Sequence, residues 1–230
     1  MELILLPGLD GSGILFKDLI AALPATLTPH VICLDQVKGE TYYEKASYLS
    51  QYIYGNEVII VAESYSGRIA YELCGLLGCR VKRVIFLASF IHSPSHTSKL
   101  ANLVPISMLN ESYFSRYLLL LIGFAGCDAS SQVKCVFKSI SLADKEKLKN
   151  RLSNIATLDE PVRSFNTKTI YIQPTHDFLV NRRAVKKLQR LFKNTSVYKV
   201  KGGHFIAQTQ PKQCAKVIEN VIDEYEGEKK

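Results

Sequence analysis

The sequence predicts an α/β fold, with a mostly parallel, doubly wound sheet of six strands and a helical insertion. Short apolar runs alternate with helical stretches along the 230 residues, which is the usual element order of such folds. Residues 58–62 (VIIVA) are a continuous, largely β-branched run, as expected of a strand covered on both faces. About eighty residues without a strand pattern separate the fourth and fifth runs, too many for a structureless loop. We therefore expect a helical cap insertion at residues 92–160, in a core formed by residues 1–91 and 161–230.

The individual elements follow in chain order. Strands are expected at residues 3–6, 31–34, 58–62, 81–88, 169–173 and 197–200. A helix after residue 67 ends at Gly78, and the last helix begins at Pro211. In the insertion, residues 111–123 are mostly apolar, and residues 141–144 have a capping-box-like spacing that opens a further helix. The expected inward residues of that helix are Leu148, Leu152 and Ile155, and the expected outward ones are Lys145, Lys147, Lys149 and Arg151.

The composition is that of an ordinary globular chain. Hydrophobic residues make up 47% and charged residues 22%, with a mean hydropathy of +0.04, which excludes a disordered chain. The longest apolar run, residues 117–125, is too short to cross a membrane. Residues 1–7 have neither a basic leader nor a cleavage region. We therefore expect a cytoplasmic protein with no transmembrane segment.

The net charge of +8 is unevenly distributed. Residues 134–201 hold 16 Lys and Arg against 5 Asp and Glu, whereas the rest of the chain holds 13 against 16. This local excess favours an acidic partner or substrate, although a solvated helical face is the alternative. We expect no nucleic-acid partner. No metal site is expected either, because the six cysteines lack ligand spacing and a Ser-Pro-Ser segment separates His92 from His96.

The clearest chemical signal lies where the strand at residues 58–62 turns into a helix. Ala62, Ser64 and Ser66 fit a small-x-nucleophile-x-small arrangement, with Ala and Ser where G-x-S-x-G has glycines. A turn centred on Ser66 would be crowded by Arg68 at the second small position. Ser64 is therefore the candidate nucleophile. The alternative is a plain turn with a serine cap at a helix N-terminus.

A serine nucleophile needs a base, and the base needs an orienting acid. Asp177 lies four residues after the strand that ends at Gln173, and His204 follows the last strand. Taken singly, Asp177 is better explained as a turn residue and His204 as a loop histidine. Together with Ser64 they each follow the C-terminal end of a different parallel strand, where active sites of open sheets assemble. His176 is a rival base, but it follows the wrong strand.

Two backbone amides are expected to stabilise an oxyanion. One belongs to Tyr65, directly after the candidate nucleophile, and the other to Leu9, in the glycine-rich loop after the first strand. Phosphate binding by this loop is a weaker interpretation, because its glycines do not fit GxGxxG and the P-loop lysine is absent. Asp10 in the same loop is interpreted as a hydrogen-bonding loop residue.

These residues give the sequence a resemblance to α/β-hydrolases of the single-domain esterase type, over nearly its whole length. The resembling segments are LLPGLDGSG (oxyanion loop), AESYSG (nucleophile elbow), PTHDFLV (acid turn) and GGHFIAQTQP (histidine loop). The resemblance implies the α/β-hydrolase fold and an esterase that needs no cofactor. It also implies Ser64 as nucleophile, His204 as base and Asp177 as its orienting acid, with Leu9 and Tyr65 as oxyanion donors.

The helical insertion resembles the cap of pimeloyl-carrier-protein methyl ester esterases of biotin synthesis. This resemblance implies an acyl channel over Ser64 and a basic surface for an acidic acyl carrier protein. The channel residues would be Ile106, Met108, Phe114, Leu118, Leu119, Leu121, Ile122 and Phe124, and the carrier contacts Lys134, Lys138, Lys145, Lys149 and Arg151. Ordinary helix packing is the alternative for the apolar residues.

The sequence thus predicts a serine carboxylesterase that acts on a small acyl ester through an acyl-enzyme. A thioester would use the same machinery, so thioesterase or acyltransferase activity stays open. A non-catalytic ligand-binding protein on the same scaffold is another alternative, because a fold alone does not fix function. A membrane-surface lipase is a third, suggested by the apolar residues 117–125 beside basic ones.

Overall fold

The computed structural model describes residues 1–94, 111–126 and 129–229. Within them, six strands form one sheet in the order β2-β1-β3-β4-β5-β6, and every neighbouring pair is parallel. The strands are β1 (Glu2–Leu6), β2 (His30–Val31), β3 (Val58–Glu63), β4 (Val81–Leu87), β5 (Lys168–Pro174) and β6 (Thr195–Val200). The predicted doubly wound sheet is confirmed.

Helices cover both faces of the sheet. They are α1 (Lys17–Ala22), α2 (Tyr42–Ser50), α3 (Gly67–Leu77), α4 (Tyr113–Phe124), α5 (Ser130–Leu142), α6 (Lys145–Ala156), α7 (Arg182–Leu191), α8 (Ile206–Thr209) and α9 (Pro211–Gly227). Because successive side chains of a strand point to opposite faces, β1 sends Leu3 and Leu5 to a cluster with α1 and α9, and Ile4 to a cluster with α2, α3 and α7. The sheet is therefore buried on both sides.

The second strand is shorter than predicted. β2 ends at Val31, and Leu34–Gln36 form a 3-10 turn. The reason is a long-range hydrogen bond, because the Leu34 amide donates to the Gly11 carbonyl at 2.7 Å instead of to a neighbouring strand. The segment after β2 thereby lies against the loop that follows β1.

The predicted start of α6 at residues 141–144 is also wrong in detail. Ser141 lies inside α5, where its hydroxyl donates to the Lys138 carbonyl at 2.8 Å. The N-cap of α6 is Asp144, whose Oδ1 accepts the amides of Glu146 and Lys147 at 3.0 Å each. One serine cannot cap the new helix while its backbone still belongs to the previous one.

The helices α4, α5 and α6 separate β4 from β5, and part of this insertion packs over the carboxyl end of the sheet. Phe124 and Phe137 form an apolar cluster with Leu15, which follows β1. Phe124 also stacks on Phe205, which follows β6, with 4.8 Å between ring centroids. These contacts place insertion residues beside two of the loops that the sequence analysis singled out. No helix within the described ranges has the length and apolarity needed to cross a membrane.

Candidate active site

The turn after β3 presents Ser64 in a strained backbone conformation. Its φ is 47°, in the left-handed region that residues other than glycine seldom adopt. The Ser89 hydroxyl holds the turn by donating to the Ser64 carbonyl at 2.7 Å. Gly67 permits this close approach, because a Cβ there would collide with Ser89 and with the Phe90 carbonyl. The sharp strand-to-helix turn of a nucleophile elbow is thus present.

Ser66, at the second small position of the motif, has a structural use. It is fully buried, and its hydroxyl donates a hydrogen bond to the Pro7 carbonyl. A glycine at this position has no hydroxyl to make that bond. The substitution of serine for the usual glycine therefore ties the elbow to the loop after β1.

The three residues predicted to act together form one hydrogen-bonded row. His204 Nε2 lies 2.9 Å from Ser64 Oγ, and His204 Nδ1 lies 2.9 Å from Asp177 Oδ2. The other carboxylate oxygen, Asp177 Oδ1, accepts the amides of Leu179 and Val180 at 2.9 Å each, which fixes the carboxylate. This is the geometry in which an imidazole can take the proton of a serine hydroxyl.

His176, the rival base, lies outside this row. It is exposed, and its Nδ1 is 2.7 Å from the hydroxyl oxygen of Thr175. The neighbouring Asp177 turns towards His204 instead. The structure therefore brings Ser64 together with His204.

The charges around the row favour the protonated imidazole. Burial alone would lower the pKa of His204, but the charge and hydrogen bond of Asp177, with the further charge of Glu63, outweigh it. The pKa of His204 is therefore raised from its usual value. A raised pKa strengthens His204 as an acceptor of the Ser64 proton.

The loop after β1 lies beside Ser64. A Cβ built on Gly8 would lie 3.7 Å from the Ser64 Cβ, and the Gly8 carbonyl accepts the Gly11 amide at 3.2 Å. The amide of Leu9 has no acceptor in the part of the chain that the structure describes. Tyr65 is the second residue of a 3-10 turn, where amides have no acceptor within the turn. Their use as oxyanion donors stays a prediction.

Asp10 serves the internal structure of this loop. Its Oδ2 accepts the Ser12 amide at 3.1 Å and the Ser12 hydroxyl at 2.5 Å. Burial raises the pKa of Asp10, against the lowering effect of these bonds. This arrangement agrees with the interpretation of Asp10 as a hydrogen-bonding loop residue.

Sequence reasoning missed a buried carboxyl group directly behind the serine. Glu63 is almost fully buried at the end of β3, and burial, with the charge of Asp10, raises its pKa to about 7. Gln208 Nε2 donates to Glu63 Oε1 at 3.0 Å and to the Leu15 carbonyl at 3.1 Å. The one sign of this contact in the sequence is its partner, Gln208, a polar residue four positions after His204 in the first turn of α8.

The predicted outward position of Arg151 is wrong. Its side chain is fully buried, and Nε donates to the Leu9 carbonyl at 2.7 Å. Nη2 donates to the Asp10 carbonyl at 3.1 Å, and Nη1 pairs with Asp35 at 2.8 Å. Helical spacing placed Arg151 with the exposed lysines, but these distant acceptors draw its guanidinium inward. Arg151 therefore cannot face a carrier protein.

The other predicted substrate-binding residues lie on the insertion. Phe114 and Leu118 are 70% and 43% exposed on α4, and Ile122 is half-buried. Lys145 and Lys149 are exposed on α6, where Lys149 borders a groove of about 700 Å³. Their contacts with substrate stay predictions. Ile106, Met108 and His96 lie outside the described residues, in which no group of potential metal ligands was found.

Solved structures resemble this chain along nearly its whole length. An α/β hydrolase fold protein from Chitinophaga pinensis superposes with a TM-score of 0.78 at 13% identity, covering 97% of this chain and 89% of the other. An esterase from Exiguobacterium antarcticum gives 0.77 at 13% identity, with 97% and 92% covered. A thermophilic esterase from Thermogutta terrifontis gives 0.72 at 12% identity, with 97% and 90% covered.

The sequence itself matches no protein-family profile and no curated protein. At 12–13% identity, the structural likeness establishes the fold and leaves the activity to be argued from the site. The chain has the α/β-hydrolase fold that the sequence resemblance implied.

Proposed function

We propose that the protein is a serine hydrolase that cleaves carboxylic esters through an acyl-enzyme. The observation that carries this proposal is the hydrogen-bonded row from Asp177 through His204 to Ser64. It stands at the carboxyl end of the sheet, where ligands of open α/β folds bind. Two of the structural relatives described above are named esterases, which supports the same reaction class.

The geometry accounts for each step of ester cleavage. Ser64 Oγ attacks the ester carbonyl while His204 Nε2 takes its proton, and Asp177 stabilises the imidazolium. The amides of Leu9 and Tyr65 hold the negatively charged oxygen of the tetrahedral intermediate. His204 then protonates the departing alcohol. In the second half, His204 takes a proton from water as the water attacks the acyl carbonyl. The acyl–Oγ bond then breaks, His204 returns the proton to Ser64 Oγ, and the acid leaves.

Labelling with a fluorophosphonate tests this proposal directly. We expect the folded protein to bind one equivalent of probe, located by peptide mass spectrometry on Ser64, because only an activated serine attacks such a phosphonate. Ser131→Ala, at an exposed serine of α5, is the matched control and is expected to label normally. Folded native protein that takes no label would favour a non-catalytic binding protein.

The same machinery acts on thioesters, so assays must separate the two substrate classes. A panel of short oxygen esters and acyl thioesters, measured under identical conditions, gives the ratio of their kcat/KM values. A higher kcat/KM for the thioesters would reassign the protein as a thioesterase or acyltransferase.

The finer proposal is that an acidic acyl carrier protein presents the ester, with a pimeloyl methyl ester of biotin synthesis as the first candidate. The support is electrostatic. Residues 134–201 carry the local excess of 16 basic over 5 acidic residues. Four of the predicted carrier contacts are exposed on α5 and α6, namely Lys134, Lys138, Lys145 and Lys149. Such a surface steers an acidic partner at low ionic strength.

Charge reversal tests the carrier proposal. We expect the double variant Lys145→Glu/Lys149→Glu to raise KM for a carrier-bound ester by about tenfold, because like charges then face the partner. Hydrolysis of a short soluble ester should not change. The control is Lys186→Glu, at an exposed lysine on α7, away from the predicted contacts. Equal effects on both substrates, or none on either, would contradict the carrier proposal.

A further inference from the structure

The oxyanion loop, residues 7–11, is held by hydrogen bonds to all five of its carbonyl groups. The Pro7 carbonyl accepts from Ser66, the Gly8 carbonyl from the Gly11 amide, and the Gly11 carbonyl from the Leu34 amide. The two carbonyls that remain, of Leu9 and Asp10, both accept from Arg151. One side chain thus completes the bonding of the loop at its tip.

Arg151 comes from outside the core that carries the other parts of the site. It belongs to α6, in the insertion, and lies 142 residues after Leu9 in the chain. Its planar fork of donors reaches both loop carbonyls and the Asp35 carboxylate at once, which a lysine cannot do. Gly11 leaves the space for it, because a Cβ at Gly11 would approach the guanidinium to 2.8 Å.

The bonds around Leu9 decide where its amide points. In a trans peptide the N–H points away from the carbonyl of the same unit, so the Gly8 carbonyl bond to Gly11 sets the direction of the Leu9 N–H. The next two peptide units, Leu9–Asp10 and Asp10–Gly11, could still rotate. Arg151 prevents this rotation because it holds the carbonyl of each unit, that of Leu9 and that of Asp10. The Asp10 carbonyl and the Gly11 N–H belong to the same peptide unit, so Arg151 also steadies the Gly11–Gly8 bond that orients the Leu9 amide.

We propose that Arg151 is a positioning residue for ester hydrolysis, which holds the oxyanion loop in place from the insertion. This inference rests on the proposed function and adds to it the means by which the insertion takes part in the reaction. The Arg151 side chain is fully buried. It acts through the Leu9 amide, so its effect belongs to the transition state, where the oxyanion exists.

The test compares Arg151→Gln and Arg151→Lys with Asn150→Ala, at the neighbouring residue of α6, whose side chain bonds to Lys45 and Glu40. We expect Arg151→Gln to lower kcat for a short ester by about 100-fold with little change in KM, as for the loss of an oxyanion donor. The kcat of Arg151→Lys should lie between that of Arg151→Gln and that of the native protein, because an ammonium cannot bond both carbonyls in the same geometry. Asn150→Ala removes these two contacts of α6 and keeps the loop bonds of Arg151, so it should lower Tm but retain the native kcat for the short ester.

Each outcome separates a positioning role from mere support of the fold. A folded Arg151→Gln protein with native kcat would overturn the inference, and so would an Asn150→Ala protein that loses as much kcat as Arg151→Gln. If Arg151→Gln does not fold, a folded Arg151→Lys protein with native kcat overturns it equally, whereas one with lowered kcat and native KM supports it. Absence of hydrolysis and of Ser64 labelling in the native protein would instead contradict the proposed function.

Discussion

Replacing Ser64 with alanine is expected to lower kcat for ester hydrolysis by about a million-fold, the size of effect seen when a serine nucleophile is removed. The variant keeps His204, Asp177 and both proposed oxyanion amides, so substrate binding should persist. Single-turnover assays with a chromogenic short ester measure the residual rate. Equilibrium binding of the same ester confirms that the pocket is intact.

Ser66→Ala is the matched control for this variant. It removes a hydroxyl two residues away, whose hydrogen bond to the Pro7 carbonyl steadies the loop after β1. We expect a lower Tm and a far smaller loss of kcat than in Ser64→Ala. A Ser64→Ala protein that hydrolyses the ester as fast as Ser66→Ala would exclude Ser64 as the nucleophile.

Asp177→Asn is expected to lower kcat by about 10⁴-fold, because an amide no longer enforces the imidazole tautomer that accepts the serine proton. The pH dependence should change as well. Asp177 raises the pKa of His204 above 6.5, and the base form of His204 is required, so native kcat/KM should rise with pH through a midpoint above 6.5. Without the carboxylate the pKa of His204 falls. The residual kcat/KM of Asp177→Asn should therefore rise with pH through a midpoint at lower pH than in the native protein.

The profile needs one control, because Glu63 also titrates near neutral pH. Burial raises the pKa of Glu63 to about 7, so the protein holds a second group whose deprotonation could shape the rise of kcat/KM with pH. Glu63→Gln removes this second titration. If the rise of kcat/KM with pH vanishes in Glu63→Gln and is unmoved in Asp177→Asn, then Glu63 and not His204 controls the profile.

Much of the candidate site is predictable because its residues follow the ends of strands. The runs that became β3, β5 and β6 are plain in the sequence, and parallel strands bring their carboxyl ends to one edge. Ser64, Asp177 and His204 each come shortly after such an end. Their meeting is therefore a consequence of strand order, which needs no knowledge of side-chain packing.

The parts that escaped prediction depend on contacts between distant segments. Arg151 has the helical spacing of an exposed residue, and only the fold shows that acceptors at Leu9, Asp10 and Asp35 surround it. The short β2 has the same origin, since the Leu34 amide bonds to Gly11 instead of extending the strand. Local patterns carry no information on partners that lie in another segment of the chain.

The place of His204 after the edge strand β6 has a consequence for synthesis. His204 follows Ser64 by 140 residues, and the strand that carries it is the last to join the sheet in chain order. Since ribosomes build chains from the amino end and folding begins during translation, the nascent polypeptide forms its elbow before the proposed base has been made. Ser64 therefore lacks that base until translation has passed His204.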